Sequence, residues 1–326
     1  MKIQYTALIC LYFLAACTPK FLTPSPETFE FKVTKKAFIS SDGTELPLQV
    51  WSPYQPPRAV ILALHGFNDY RYFFDTPANF LALHSIISYA YDQRGFGASR
   101  NPGTWAGVTT YTRDAAAAIR AIKRRHPNLP LYLLGSSMGG AVAILATSEA
   151  EKLPVEGLIL AAPAIWGRIN MPWYQRLALW IGAHVFPGIT LTGRGLNITP
   201  SDNEQMLIRL NQDPMVIKET RIDTIYGLVN LMDAALAAAP DIKTPALVLY
   251  GQKDEVIPKK PTTHMLRALP KGLHRIALYS DGYHMLLRDL QAITVWKDIV
   301  AWVNDRYTPL PSKADQSSLK TLGIVR

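Results

Sequence analysis

The chain has 326 residues, 48% of them hydrophobic and 18% charged, with a formal net charge of +9. That composition supports a full buried core and excludes a largely disordered chain; the only cysteines, Cys10 and Cys17, sit at the extreme N-terminus, so the body holds no disulfide framework and no cysteine metal site. The positive charge is diffuse, and its densest cluster, Lys123-Arg124-Arg125-His126, reads as the solvated end of a helix and not as a nucleic-acid surface.

Lys2 followed by an apolar run over residues 3–16 has the form of a secretory signal peptide, too short to span a bilayer. Residues 17–30 contain several prolines and read as a tether. The folded body is expected over 31–306 as one unit with an insertion. It opens with alternating segments at 36–40 and 44–51 around Ser41-Asp42-Gly43, the pattern of a β-hairpin. Short apolar runs then follow at 59–64, 86–90, 131–134, 157–161, 246–250 and 275–279, each suited to a strand buried on both faces. Helical patterns at 110–125, 138–150 and 292–304 alternate with them. The expected fold class is therefore α/β, a mostly parallel sheet flanked by helices, with functional residues just after strands.

The rhythm breaks between Ala161 and Ala246, an interval far longer than a loop. Bulky apolar residues and the lack of a convincing strand predict an inserted helical cap over about 164–241. Within it Trp173, Leu177, Trp180, Ile181 and His184 recur at helical spacing and make one broad apolar face. Two uses of that face stay open here, packing on the sheet domain or lining a pocket for an acyl chain; the second is the expectation carried forward. Residues 307–326 are expected to be a flexible tail.

The strand at 131–134 runs into Gly135-Ser136-Ser137-Met138-Gly139-Gly140 and a helix follows at once. This is a Gly-x-Ser-x-Gly turn in the strand-to-helix setting that exposes a serine hydroxyl above a sheet. A serine needs a base oriented by a carboxylate. Of seven histidines, His284 follows the last strand, whereas His84 and His274 precede strands, His126 closes a surface helix, His184 lies in the cap, His264 in a helix and His65 reads as a loop brace. Asp254 follows the strand at 246–250; Glu255 and Asp281 compete less well, the first because the same turn must point it elsewhere, the second because it sits too close to His284. Glycine in Leu64-His65-Gly66-Phe67 lets the backbone approach a substrate, so the amides of Phe67 and Met138 are the candidate oxyanion donors. The glycines of Asp92 to Ser99 fit neither nucleotide-binding spacing, and the segment reads as a hydrogen-bonded turn beneath the site.

Taken together, His65-Gly66, Asp92 to Ser99, Gly135 to Gly140, Leu160 to Ala164, Gly251 to Pro258 and Gly282-Tyr283-His284 resemble the monoglyceride lipase and lysophospholipase branch of the α/β-hydrolases, often grouped with serine aminopeptidases. The resemblance runs from about Ala37 to Asn304. It implies a Ser137, Asp254 and His284 triad, oxyanion amides at Phe67 and Met138, and an acyl-enzyme route to ester cleavage with no metal or organic cofactor. The implied partner is a small lipid ester carrying a single acyl chain. Phe67 departs from the family, which carries a small residue there. A serine aminopeptidase, with Glu204 or Asp202 receiving a free amino terminus, and a small-ester carboxylesterase are the enzymatic alternatives; a non-catalytic scaffold would have lost a triad member. Leu14-Ala15-Ala16-Cys17 resembles the lipobox of bacterial lipoproteins, which implies cleavage before Cys17, lipid attachment there and anchoring to a membrane of the cell envelope. Thr18 after that cysteine points, by the same resemblance, to the outer membrane of a Gram-negative source.

Overall fold

The computed structural model describes residues 18–148, 152–193 and 195–316. Its sheet contains β1 (Lys32–Val33), β2 (Ala37–Ile39), β3 (Glu45–Trp51), β4 (Ala59–Leu64), β5 (Ile86–Tyr91), β6 (Leu131–Ser136), β7 (Gly157–Ala161), β10 (Ala246–Gly251) and β11 (His274–Tyr279). Their spatial order is β1-β2-β3-β5-β4-β6-β7-β10-β11. The first three strands meander and join β5 antiparallel, and from β5 onward every pair is parallel. The α/β expectation is met.

Burial on both faces explains the unbroken apolar runs. Along β4, Val60, Leu62 and Leu64 enter one core while Ala59, Ile61 and Ala63 enter the other. β10 repeats the division, with Val248 and Tyr250 on one side and Leu247 and Leu249 on the other. Helices α1 (Asp75–Leu83) and α8 (Ala292–Asn304) cover the second face. Helices α2 (Val108–Arg125), α3 (Met138–Ser148) and α7 (Lys259–Ala268) contribute buried side chains to the first core.

The insertion forms the cap, built from α4 (Trp173–Val185), α5 (Glu204–Gln212) and α6 (Ile222–Ala238), and α6 packs on α3. Helices alone were expected, but the cap also holds an antiparallel ribbon of β8 (Thr190–Thr192) and β9 (Glu219–Arg221). Three-residue strands, with all of β8 exposed, carry no alternation that a sequence pattern can register.

The two ends also differ from expectation. Residues 18–30 lie along the body: Lys20 N donates to Asp223 Oδ2 at 3.2 Å and Leu22 N to Trp105 O at 2.7 Å. Residues 307–316 are docked and not loose. Leu310 and Ala314 are buried, Ser312 N donates to Asp298 Oδ1 at 3.0 Å, and Arg275 holds the Thr308 carbonyl. The rest of the expected tail, like the signal segment and Cys17, lies outside the described residues.

Candidate active site

Ser137 stands between β6 and α3 with φ of 49°, a left-handed conformation that costs a non-glycine residue about 1–3 kcal/mol and survives only where its surroundings hold it. Here they do. Its N–H donates to Ala161 O at 3.0 Å, and its carbonyl accepts from Gly140 N and Ala164 N, both at 2.9 Å. The flanking glycines are sterically required: a Cβ at Gly135 would lie 2.3 Å from Gly139 O, and one at Gly139 2.2 Å from Leu64 O. The turn therefore presses strand, helix and the end of β4 together and leaves the hydroxyl at the sheet edge.

Ser137, His284 and Asp254, each following a different strand, are brought into one chain of hydrogen bonds. His284 Nε2 lies 3.0 Å from Ser137 Oγ, and His284 Nδ1 lies 2.9 Å from Asp254 Oδ2. A carboxylate accepts only, so Nδ1 carries the proton and Nε2 is left to accept from the serine. The second oxygen of Asp254 takes the amides of Val256 at 2.8 Å and Ile257 at 2.9 Å, which fixes its orientation. Tyr250 holds the same turn through Ile257 O at 3.0 Å; burial, and after it the Asp254 charge, push this phenol well above its ordinary pKa. Asp254 and His284 are both buried, at 6% and 8% exposure, so little water competes for the pair.

The competing groups are engaged elsewhere. Glu255 accepts from Thr199 N at 2.7 Å, and Asp281 pairs at the surface with Lys253 at 2.8 Å, which lowers its pKa. His126 meets Tyr89 OH and His184 the Trp180 carbonyl. His65, fully buried, accepts from Gln93 N at Nε2 (2.9 Å), which leaves Nδ1 to donate to Gly66 O at 2.8 Å. Desolvation lowers its pKa and keeps it neutral. The Asp92 to Ser99 segment acts as the brace its spacing suggested: Asp92 accepts from Arg71 N and Ala98 N, both at 2.8 Å, and from the Arg71 guanidinium.

That brace carries the loop with the Phe67 amide. A Cβ on Gly66 would sit 3.4 Å from Ser137 Cβ, so the loop passes directly over Ser137. Among the described residues neither the Phe67 nor the Met138 amide has a protein acceptor, and both remain available to an oxyanion. From the other side the cap grips the loop: Asn68, at φ 63°, donates through Nδ2 to Thr220 Oγ1 at 2.6 Å and accepts from Ile217 N at 3.0 Å. Sequence reasoning missed this grip, as well as the stitching of cap residues 199–203 to the histidine loop. There Met285 N donates to Pro200 O at 3.0 Å, while the buried carboxylate of Asp289 joins Ser201 Oγ at 2.6 Å to Tyr283 N at 2.8 Å. Only the tertiary fold brings these groups together, and no local pattern announces them.

A cavity of about 390 Å³ opens beside Ser137 and His284, with Phe67, Phe73, Trp166, Leu228, Met232 and Ile257 among its apolar walls. Trp173, Leu177 and Trp180, expected to line an acyl pocket, do not reach it. They are 69%, 49% and 52% exposed, because α4 turns its opposite side, with buried Ala183 and the close contact of Gly182 to Ile222, toward α6. The Ser137 cavity is therefore lined from the cap by Ala164 and Trp166 before α4, by Ile198 and Pro200 before α5, and by Leu228 and Met232 on α6. Among the described residues no cluster of metal-ligating side chains occurs.

Comparison with known proteins places this geometry in a family. The family model described as Hydrolase_4, serine aminopeptidase, S33, matches residues 55–291, a span that includes Ser137, Asp254 and His284. The monoglyceride lipase of Rattus norvegicus is 27% identical over 274 residues, covering 82% of this chain and 89% of the relative. The monoacylglycerol lipase of Mycolicibacterium smegmatis is 23% identical, covering 83% and 96% respectively. A soluble variant of the Saccharomyces cerevisiae monoglyceride lipase, solved with a substrate analogue, superposes with a TM-score of 0.70 at 21% identity, covering 88% of this chain and 99% of that one. The chain belongs to the serine aminopeptidase S33 family of α/β-hydrolases.

Proposed function

We propose that this protein, an ester hydrolase of the monoglyceride-lipase-like α/β-hydrolase group, cleaves the ester of single-acyl lipids through an acyl-enzyme on Ser137. The observation that carries the reading is a hydrogen-bonded serine, histidine and aspartate opening onto an apolar cavity. Ser137 attacks the carbonyl as His284 takes its proton; the Phe67 and Met138 amides meet the oxyanion; Asp254 stabilises the imidazolium. The alcohol leaves with the proton returned by His284, and water releases the acid by the same steps. An acyl chain fits walls of this kind, with each buried methylene contributing about 0.8 kcal/mol.

An aminopeptidase would need a free carboxylate facing the nucleophile. Asp202 accepts from Leu290 N at 2.9 Å and Glu204 lies in the first turn of α5, and neither lines the cavity. Asp69 does line it, but Arg288 neutralises it. Side-by-side kcat/KM values for monoacylglycerols, lysophospholipids, short esters and aminoacyl amides test the reading. Single-acyl lipids should lead; aminoacyl amides in front would refute it.

The same proposal extends to location. Cys17 is read as the lipid-bearing first residue of a cell-envelope lipoprotein, on the strength of Leu14-Ala15-Ala16-Cys17 after a short apolar run. Cys17→Ser should abolish labelling by a radioactive fatty acid, and unlabelled wild-type protein in the cytosolic fraction would contradict the assignment.

A further inference from the structure

A second cavity, of about 530 Å³, lies between the segment 69–76, helix α5 and the segment 287–296. It shares Asp69, Phe73, Leu287 and Arg288 with the catalytic cavity, so the two adjoin, and the ion pair of Arg288 Nη2 with Asp69 Oδ2 borders both. We propose that this second cavity is the leaving-group subsite and that it selects a zwitterionic phosphate and ammonium headgroup. The preferred substrate would then be a lysophospholipid such as lysophosphatidylethanolamine and not a monoacylglycerol. The inference rests on the single-acyl lipid reading and narrows it.

Polarity first separates the two chambers. The acyl chain belongs against Phe67, Trp166 and Met232, whereas the adjoining walls carry two arginines and four aspartates. A neutral glycerol offers these charges no ionic partner, whereas a zwitterion offers one to each sign. Two guanidiniums have donors to spare. Arg288 spends Nη2 on Asp69, while its Nε and Nη1 meet no acceptor among the described residues; the guanidinium of Arg209, in the last turn of α5, has no such partner either. Planar, open guanidinium groups suit a phosphate.

The carboxylates supply the opposite charge. Asp75 accepts from Trp51 Nε1 at 2.9 Å, and Asp213 from Tyr70 OH at 2.6 Å and Met215 N at 2.8 Å. All three donors are neutral, so neither carboxylate is ion-paired by them; Lys218 stands against the Asp213 backbone carbonyl and not against its carboxylate. Asp289 differs from these two in being buried, with one oxygen on Ser201 Oγ and the other on Tyr283 N, so it is less open to a ligand. Tyr70 and Trp296 add aromatic walls that suit an alkylammonium, Tyr72 being already covered by Arg71 at 4.9 Å. Arg288 also borders the nucleophile's own cavity. A lysophospholipid therefore meets a serine with its ester and an arginine with its phosphate, and has carboxylates and aromatic rings ahead for its amine.

The test compares dodecanoyl lipids with different headgroups on the purified protein, each below its critical micelle concentration. Lysophosphatidylethanolamine should exceed monododecanoylglycerol in kcat/KM by about tenfold or more, and lysophosphatidylglycerol, which lacks the ammonium, should fall between them. Asp75→Asn and Asp213→Asn should bring the ethanolamine lipid down to the level of the glycerol lipid; Arg288→Met should lower both phospholipids relative to the monoacylglycerol. Each result is a ratio on one preparation, so partial loss of folded protein cancels. Equal or better cleavage of monododecanoylglycerol, with ratios unmoved by the variants, overturns the inference and leaves the single-acyl reading standing. Turnover of p-nitrophenyl acetate alone overturns both, and faster cleavage of an aminoacyl amide would give the carboxylates to an amino terminus instead.

Discussion

Ser137 couples a strained backbone to an aligned side chain, and His284 and Asp254 reach it from loops that follow two other strands. Removing any one should leave the fold intact and the chemistry broken. Ser137→Ala and His284→Ala are expected to lower kcat on the order of a thousandfold or more, with Tm close to wild type; Asp254→Asn, which loses the acceptor for Nδ1–H, should do the same. Near-normal turnover by Ser137→Ala would end the assignment. All three positions were legible in the sequence, because residues of an α/β sheet that follow strands gather at one edge and the glycines around Ser137 have a steric reason to be there. His65 was legible only in outline, as a brace, and its burial now carries a prediction of its own. Its pKa is lowered in the folded state, so below about 6.5 the unfolded chain takes up a proton that the folded one refuses. Its contribution to stability is therefore complete above the unfolded value and is lost as pH falls. Tm should drop from pH 7.5 to 5.5, and His65→Gln should flatten that drop; a variant with the full wild-type slope would show that His65 is not the group responsible.

At the scale of elements the cap departs most from its sequence reading. Helical spacing identified the apolar face of α4 but could not say what it faces, since period 3.6 is the same whether a stripe meets a core, a pocket or solvent. The structure exposes Trp173 and Trp180 and puts Trp166 and Met232 on the cavity instead. Across esters of two to sixteen carbons, Trp166→Ala and Met232→Ala should change the chain length at which kcat/KM peaks, whereas Trp173→Ala and Trp180→Ala should not; the reverse pattern would return the pocket to α4. The β8–β9 ribbon and the docked segment 307–316 escaped notice for a related reason: both are too short for periodicity and are held by contacts distant in sequence. The same holds for Asp289, whose buried carboxylate joins cap to histidine loop. Asp289→Ala should lower stability by about 2–4 kcal/mol, as expected for stranding buried donors, with kcat falling alongside. Chemical denaturation measures the first; unchanged stability would mean the stitching contributes nothing.

In the whole molecule an apolar cavity and a charged cavity share Asp69 and Arg288, under a cap that holds both the loop bearing Phe67 and the loop bearing His284. The sheet order was not legible, since pairing β5 outside β4 depends on crossovers that a linear pattern does not encode, yet the class of fold and the edge where Ser137, Asp254 and His284 meet were. The central claim is that an ester's acyl group passes through Ser137. Rapid quenching of the protein with a slowly deacylating p-nitrophenyl ester, followed by peptide mass spectrometry, tests it most directly. The account predicts a burst of one nitrophenol per protein and one acyl group on the peptide bearing Ser137, both absent from Ser137→Ala. Turnover with no adduct on Ser137, or an adduct on another residue that survives in Ser137→Ala, would contradict it.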